Sequence, residues 1–265
     1  DLENDAWRAT FSELEAIQNL LLAREDEFRS ADYPWPRDPL HTWSRCWEYP
    51  YAYHHLRARR AAMGNAPLLV DLGSGVTFFP FACAGLGYRV VCTDVDPVCE
   101  RDLPRAAHVM PETMHAVEFR RTDGTRLPFA DGEADAVYCI SVLEHVPAWD
   151  RTIAEIARVL KPRGFLLLTV DVDLLGTAEL SPKQHARLMD ALNERFTWVQ
   201  RERTVHPADV LHSAVGPYPL TGPVGLARAW FYAKQYLIKP LLGRKPIRVP
   251  GGLHLAVHGM VLEKK

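Results

Sequence analysis

The run Leu68-Leu69-Val70-Asp71-Leu72-Gly73-Ser74-Gly75 constrains this chain more than any other stretch. It reads as a buried strand that ends in a tight glycine turn, with a carboxylate just before the turn. Such a turn at the carboxyl end of a central strand is where open α/β sheets hold nucleotides. Gly73 and Gly75 let the backbone approach a ligand closely, because no side chain blocks the turn. A dinucleotide fingerprint calls for a third glycine at position 78, where this chain has Phe78. Asp71 also works against a pyrophosphate held at the following helix N-terminus. A ligand that carries an ammonium and no phosphate finds the same carboxylate attractive.

Around this turn the chain alternates strand and helix patterns. Leu68 to Leu72 predicts a strand and Phe78 to Leu86 a helix. Arg89 to Thr93 is a second strand, followed by Asp94-Val95-Asp96-Pro97 and a short helix. Ala116 to Arg121 and Ala134 to Ile140 are further strands, and Thr152 to Leu160 is a helix stopped by Lys161-Pro162-Arg163-Gly164. Phe165 to Val170, an unbroken apolar run, predicts a strand buried on both faces. Pro182 to Phe196 reads as a helix, Thr197 to Val205 as a strand and Leu253 to Leu262 as the last strand. This order predicts an α/β fold, a doubly wound, mostly parallel, seven-stranded sheet covered by helices on both faces.

Residues 66–205 and 253–265 form the expected core. Residues 1–65 form an N-terminal cap, with helical spacing over 5–30, three prolines between Tyr33 and Pro39, and an aromatic cluster of Trp43, Trp47, Tyr49, Tyr51 and Tyr53. Residues 206–252 form an insertion before the last strand, with one helix expected from Val224 to Leu242. Insertions of that length in compact domains commonly serve function, here as a lid over an acceptor site. Leu226, Trp230, Ala233, Leu237 and Leu241 fall on one face of that helix. A basic amphipathic helix can rest on a membrane surface, although a lid or dimer face is the commoner role.

The formal net charge is -2, from 31 Lys and Arg against 33 Asp and Glu, so no overall charge drives the chain toward nucleic acid. Five cysteines lack CxxC pairing, and no secretory leader or bilayer-spanning run is visible, which points to a reduced, cytoplasmic setting. No metal site is expected, since cysteines and histidines nowhere fall at zinc spacing and the adjacent pair His54-His55 makes a poor ligand pair.

Taken in order, Asp71-Leu72-Gly73-Ser74-Gly75, Asp94, Thr122-Asp123-Gly124-Thr125-Arg126-Leu127-Pro128-Phe129, Ala134-Asp135-Ala136-Val137 and Ser141-Val142-Leu143-Glu144-His145 resemble class I S-adenosylmethionine-dependent methyltransferases. The likeness is to the small-molecule group that includes quinone-biosynthesis enzymes, and it covers residues 66–205 plus the final strand. It implies a Rossmann-like sheet and S-adenosylmethionine as cofactor. It also implies a cofactor site built from Asp71, Gly73, Ser74, Gly75, Asp94, Val95, Asp123, Gly124 and Ser141. In that site Asp94 would meet the ribose hydroxyls, with Asp96 as its alternate, and Asp123 the adenine amino group, with Gly124 against the ring edge. Ser141 to Leu143 would run beside the methionine moiety. Arg45-Cys46-Trp47-Glu48-Tyr49-Pro50-Tyr51 resembles a segment that precedes the first strand in some bacterial metabolite and saccharide methyltransferases. Its tyrosines or Arg45 would touch the methionine carboxylate, or its aromatics would pack as a hydrophobic cap.

Methyl transfer is an in-line displacement whose leaving group needs no proton, so alignment is the main task. A weakly acidic acceptor needs a base, and His145 is the candidate; His206 and His212 are weaker ones. The segment Ile140 to His145 lacks the Asn/Asp-Pro-Pro-aromatic run of enzymes that methylate bases in nucleic acids or protein amides. The expected reaction is therefore O-methylation of a small-molecule hydroxyl. N- or C-methylation of a similar acceptor, or a non-catalytic cofactor-binding scaffold, are the alternatives.

Overall fold

The computed structural model describes residues 1–174, 180–199, 210–220 and 255–265. Seven strands form one sheet in the order β3-β2-β1-β4-β5-β7-β6. They are β1 (Leu68–Leu72), β2 (Arg89–Asp94), β3 (Val117–Arg121), β4 (Ala134–Ile140), β5 (Leu160–Asp173), β6 (Phe196–Trp198) and β7 (Leu255–Lys264). The first five run parallel, while β7 is antiparallel to both β5 and β6. The expected sheet is therefore present, with its antiparallel strand contributed by the end of the chain.

Alternation along β1 explains how one strand serves two cores. Leu69 packs with the cluster on one face, while Leu68, Val70 and Leu72 pack with the cluster on the other. The first cluster is covered by α1 (Asp5–Leu22), α2 (Glu25–Phe28), α3 (Arg45–Arg60), α4 (Phe79–Gly85) and α5 (Pro97–His108). The second is covered by α6 (Trp149–Val159) and α7 (Pro182–Arg195).

Two expectations change. Lys161-Pro162-Arg163-Gly164 does not separate helix from strand. Leu160 already pairs with Ala134, and the ladder resumes at Ala136 opposite Phe165 after an irregular register shift. Arg163 adopts φ 62° there, and Lys161 Nζ lies 2.6 Å from Asp135 Oδ1, so the breaker residues form a bulge inside β5. The strand expected over Thr197 to Val205 is the short β6, and residues 200–205 lie outside the described residues. The helix expected from Val224 to Leu242 and the candidate His206 also lie outside them.

The aromatic cluster divides by face. Tyr49 and Tyr53 enter the core against Phe79, while Trp47 and Tyr51 stack at 4.6 Å and lean on β7. The contact point on β7 is Gly259, where an added Cβ would stand 2.7 Å from Tyr51 Cε1 and 2.8 Å from Trp47. Gly259→Ala is expected to lower stability by about 1–3 kcal/mol through this overpacking, measured by urea unfolding.

Candidate active site

The order of strands reverses between β1 and β4, and the cleft opens at their carboxyl ends, as open α/β sheets require. It has a volume of about 570 Å³ and is lined by the glycine turn, the ends of β2, β4 and β5, and the cap.

The glycine turn is built so that its own donors are used internally. Gly73 N–H and Ser74 N–H both donate to Thr93 O, at 2.8 and 3.1 Å. Gly75 N–H donates to Asp94 Oδ2 at 2.9 Å, and Val76 N–H donates to the Tyr33 hydroxyl at 3.1 Å. A pyrophosphate would need those N–H groups. What the turn presents instead is acceptors. Asp71 is buried, lines the cleft, and is pushed up to about 8 by burial, with the charge of Asp94 adding to the effect. Asp94 accepts one backbone N–H on each oxygen, from Gly75 and from Asp96, and a carboxylate oxygen can accept a second donor. Asp96, the alternate to Asp94, caps α5 by accepting from Val98 N–H at 2.8 Å. Gly73 holds φ 72° with Val142 so close that a Cβ would stand 2.6 Å from its Cγ2, so the turn and the β4 loop are in direct contact.

At the end of β4, Ser141 sits in the left-handed region at φ 45°, which a serine adopts only when its surroundings over-determine it. They do. Its N–H lies 3.0 Å from Thr169 O and 3.2 Å from Thr169 Oγ1, and its hydroxyl donates to Glu48 Oε1 at 2.5 Å. Thr169 Oγ1 donates to the same Glu48 oxygen at 2.5 Å, and Arg45 pairs with the other. Glu48 is fully buried, so a carboxylate from the cap is bolted to two strands of the core directly behind the cleft. Sequence reading placed Glu48 in the aromatic segment without a role. Its only signal was a charge among aromatics on a helix with buried faces.

The remaining candidates divide between the cleft and its margins. Ser74, Val95, Gly124 and His145 line it, together with Thr122, Thr125 and Asp171. Asp123 is not among the lining residues. Its Oδ1 accepts from Thr125 N–H at 2.8 Å, Thr125 Oγ1 at 2.7 Å and Arg126 N–H at 3.1 Å, and these bonds hold its carboxyl below the usual range. His145 ends a single 3-10 turn, Leu143–His145, and its neighbour Glu144 is pushed up to about 7 by burial. Glu144 Oε1 accepts from Asp171 N–H at 3.0 Å, while its Oε2 is buried with no hydrogen-bond partner among the described residues. His212 forms an isolated bridge with Ala256 of β7 and does not line the cleft.

A turn with its donors used up, backed by carboxylates, fits a donor-rich cation with no phosphate. Together with the sheet order, this defines a class I S-adenosylmethionine-dependent methyltransferase fold. Residues 70–168 match the family described as a methyltransferase domain. S-adenosylmethionine is the cofactor of this domain. An uncharacterized methyltransferase from Mycobacterium sp. (strain JLS) is 36% identical over 104 residues, which is 39% of this chain. The chain spans about 38% of the length of the curated relatives it matches. Among solved structures it is similar to the cyclase SpnF, with TM-score 0.58 and 18% identity over 96% of this chain and 94% of that one. It is also similar to a geranyl diphosphate methyltransferase solved with S-adenosylmethionine, with TM-score 0.52 and 14% identity over 81% of this chain and 85% of that one. At these identities the likeness shows the fold alone.

Two outcomes follow from this geometry. A cation bound beside Asp71 favours its ionised form, so cofactor binding should expel a proton below about pH 8, and affinity should rise with pH between about 6 and 8. Calorimetry in buffers of different ionisation enthalpy should detect this release, and Asp71→Asn should abolish it. Glu48→Ala should cost about 3 kcal/mol of stability in urea unfolding, because it leaves Arg45, Ser141 and Thr169 without their shared acceptor.

Proposed function

We propose that the protein transfers the methyl group of S-adenosylmethionine to a hydroxyl oxygen of a small molecule. The observation that carries this reading is the glycine turn, whose N–H groups are spent inside the protein while Asp71 and Asp94 face the cleft. In this reading Asp71, Gly73, Ser74, Gly75, Asp94, Val95, Gly124 and Ser141 hold the cofactor. Asp123 joins them by releasing bonds within its own turn. When bound, S-adenosylmethionine supplies an electrophilic methyl on a sulfonium whose departure as a neutral thioether needs no proton.

The residues of the chain then have three tasks. The carboxylates neutralise the cation and orient it. The cap and the ends of β4 and β5 position the acceptor and exclude water, which is where most of the rate gain in such a displacement arises. His145, exposed at the mouth of the cleft on the loop after β4, takes the acceptor proton at a ring nitrogen.

Among the described residues no helix is long and apolar enough to cross a membrane. All five cysteines are free and buried, which supports the reading of a reducing, cytoplasmic setting. N- or C-methylation of a similar acceptor, or a non-catalytic cofactor-binding scaffold, are the alternatives, since one fold hosts several functions.

The test uses S-adenosylmethionine labelled in its methyl group, mixed with the protein and a metabolite extract. Label is expected in the low-molecular-mass fraction, bound to oxygen, and lost in Asp94→Ala. His145→Ala should reduce turnover by about 10²-fold. Label on macromolecules, or cofactor binding with no transfer to any fraction, would overturn the proposal.

A further inference from the structure

Beside Asp71 the sheet buries a hydroxyl that no hydrogen bond accounts for. Asp71 pairs in register with Cys92 of β2 on one side and with Tyr138 of β4 on the other. Side chains alternate along a strand, so Asp71 shares the face of Leu69, and Cys92 and Tyr138 pack on that same face. Tyr138 is 2% exposed and lines the cleft together with Asp71. Its ring stands edge-on to Phe79 at 5.3 Å, which fixes its position. The hydroxyl is buried with no hydrogen-bond partner among the described residues. It comes close enough to the Asp71 carboxyl to act on it, yet makes no bond of normal geometry.

A phenylalanine would fill the same space without burying an unpaired hydroxyl, which costs stability. The acceptor within reach is Asp71. Once ionised, its two oxygens offer about four lone-pair sites, enough to take a phenol O–H and the N–H of an ammonium together. A donated O–H also favours the charged carboxyl over the neutral one, against the burial that pushes Asp71 up. The neighbours of Asp71 leave this task to Tyr138. Burial pushes up the thiols of Cys83 on α4, Cys92 on β2 and Cys139 on β4, and the phenol of Tyr49 on α3, so all four stay protonated near neutral pH. Cys92 flanks the carboxyl as a weak donor, and Asp94 at the end of β2 adds a negative charge that opposes ionisation.

We propose that Tyr138 is a positioning residue for the cofactor: its O–H donates to the Asp71 carboxylate as that carboxylate receives the cofactor's ammonium group, and so holds it ionised and in place. This deepens the methyl-transfer reading and rests on it for the identity of the ligand. The link between Tyr138 and Asp71 itself belongs to the protein alone and is tested without ligand.

The experiment compares wild type with Tyr138→Phe, which keeps the ring against Phe79 and removes only the oxygen. In the free protein, the midpoint at which the Asp71 carboxyl ionises, followed by carbon NMR of labelled aspartate, is expected to rise by about one pH unit in Tyr138→Phe. Calorimetry with S-adenosylhomocysteine then reads the consequence. Because Asp71 must ionise to bind, Tyr138→Phe should weaken binding about tenfold at pH 7 and only about twofold at pH 9. In an Asp71→Asn background the same substitution should change affinity by less than about twofold. An unchanged Asp71 midpoint, a loss of affinity equal at both pH values, or the full loss in the Asp71→Asn background would overturn the proposal, since a hydroxyl that only packs would act without regard to Asp71. Failure of wild type to bind S-adenosylhomocysteine overturns the methyl-transfer reading instead, and the carboxyl titration of the free protein then decides whether Tyr138 acts on Asp71.

Discussion

The bond from Gly75 N–H to the Asp94 carboxylate is the constraint on which the site depends. It ties the turn after β1 to the end of β2, and with Thr93 O it consumes the donors that a nucleotide-binding turn would otherwise offer an anion. Once those N–H groups are spent, the polarity of the cleft is set by acceptors. Asp71 is buried nearby with its proton affinity raised, so the free site holds a proton where the bound site would hold a cation. The turn geometry that two classes of nucleotide-binding protein share is thereby committed to one of them. The commitment is made by neighbouring strands and not by the glycines.

The second organising feature is Glu48. A buried carboxylate is costly unless each of its oxygens is matched, and here Arg45, Ser141 and Thr169 match them. The same contacts hold Ser141 in an unfavourable backbone conformation beside the cleft and join the cap to β4 and β5. Position of the cap and shape of the cofactor turn are therefore not independent variables. A change that lifts α3 also releases Ser141, and Ser141 faces the Gly73–Val142 contact across the turn.

Much of this was legible in the sequence, and what was not has definite reasons. The apolar runs of β1, β4 and β5 and the glycine turn announce themselves because burial and backbone geometry are local demands. Asp94 and Asp71 were legible by spacing along one βαβ unit. Glu48 was not, since its partners lie 93 and 121 residues away and none of the three positions carries a periodic pattern. Asp171 was hidden in an apolar strand end. Lys161-Pro162-Arg163-Gly164 misled because breaker residues signal irregular backbone without saying whether a strand ends or bulges. Asp123 was expected in the site from its place in the motif, and the structure leaves it outside the cleft lining. The side chain's local bonds to Thr125 and Arg126 are a turn chemistry that sequence reading weighed only as an alternative.

The placement of β7 between β5 and β6 has a consequence for how the molecule comes to exist. Among the described residues β6 pairs in the sheet with β7 alone, and the stacked Trp47 and Tyr51 rest on Gly259 of that strand. β6 therefore joins the sheet only when β7 docks, and long-range pairings of this kind are slow to form. The half of the sheet that holds the glycine turn is complete well before then. The cofactor end of the cleft can thus form ahead of β7, and the packing under Trp47 and Tyr51 is completed only when that strand docks.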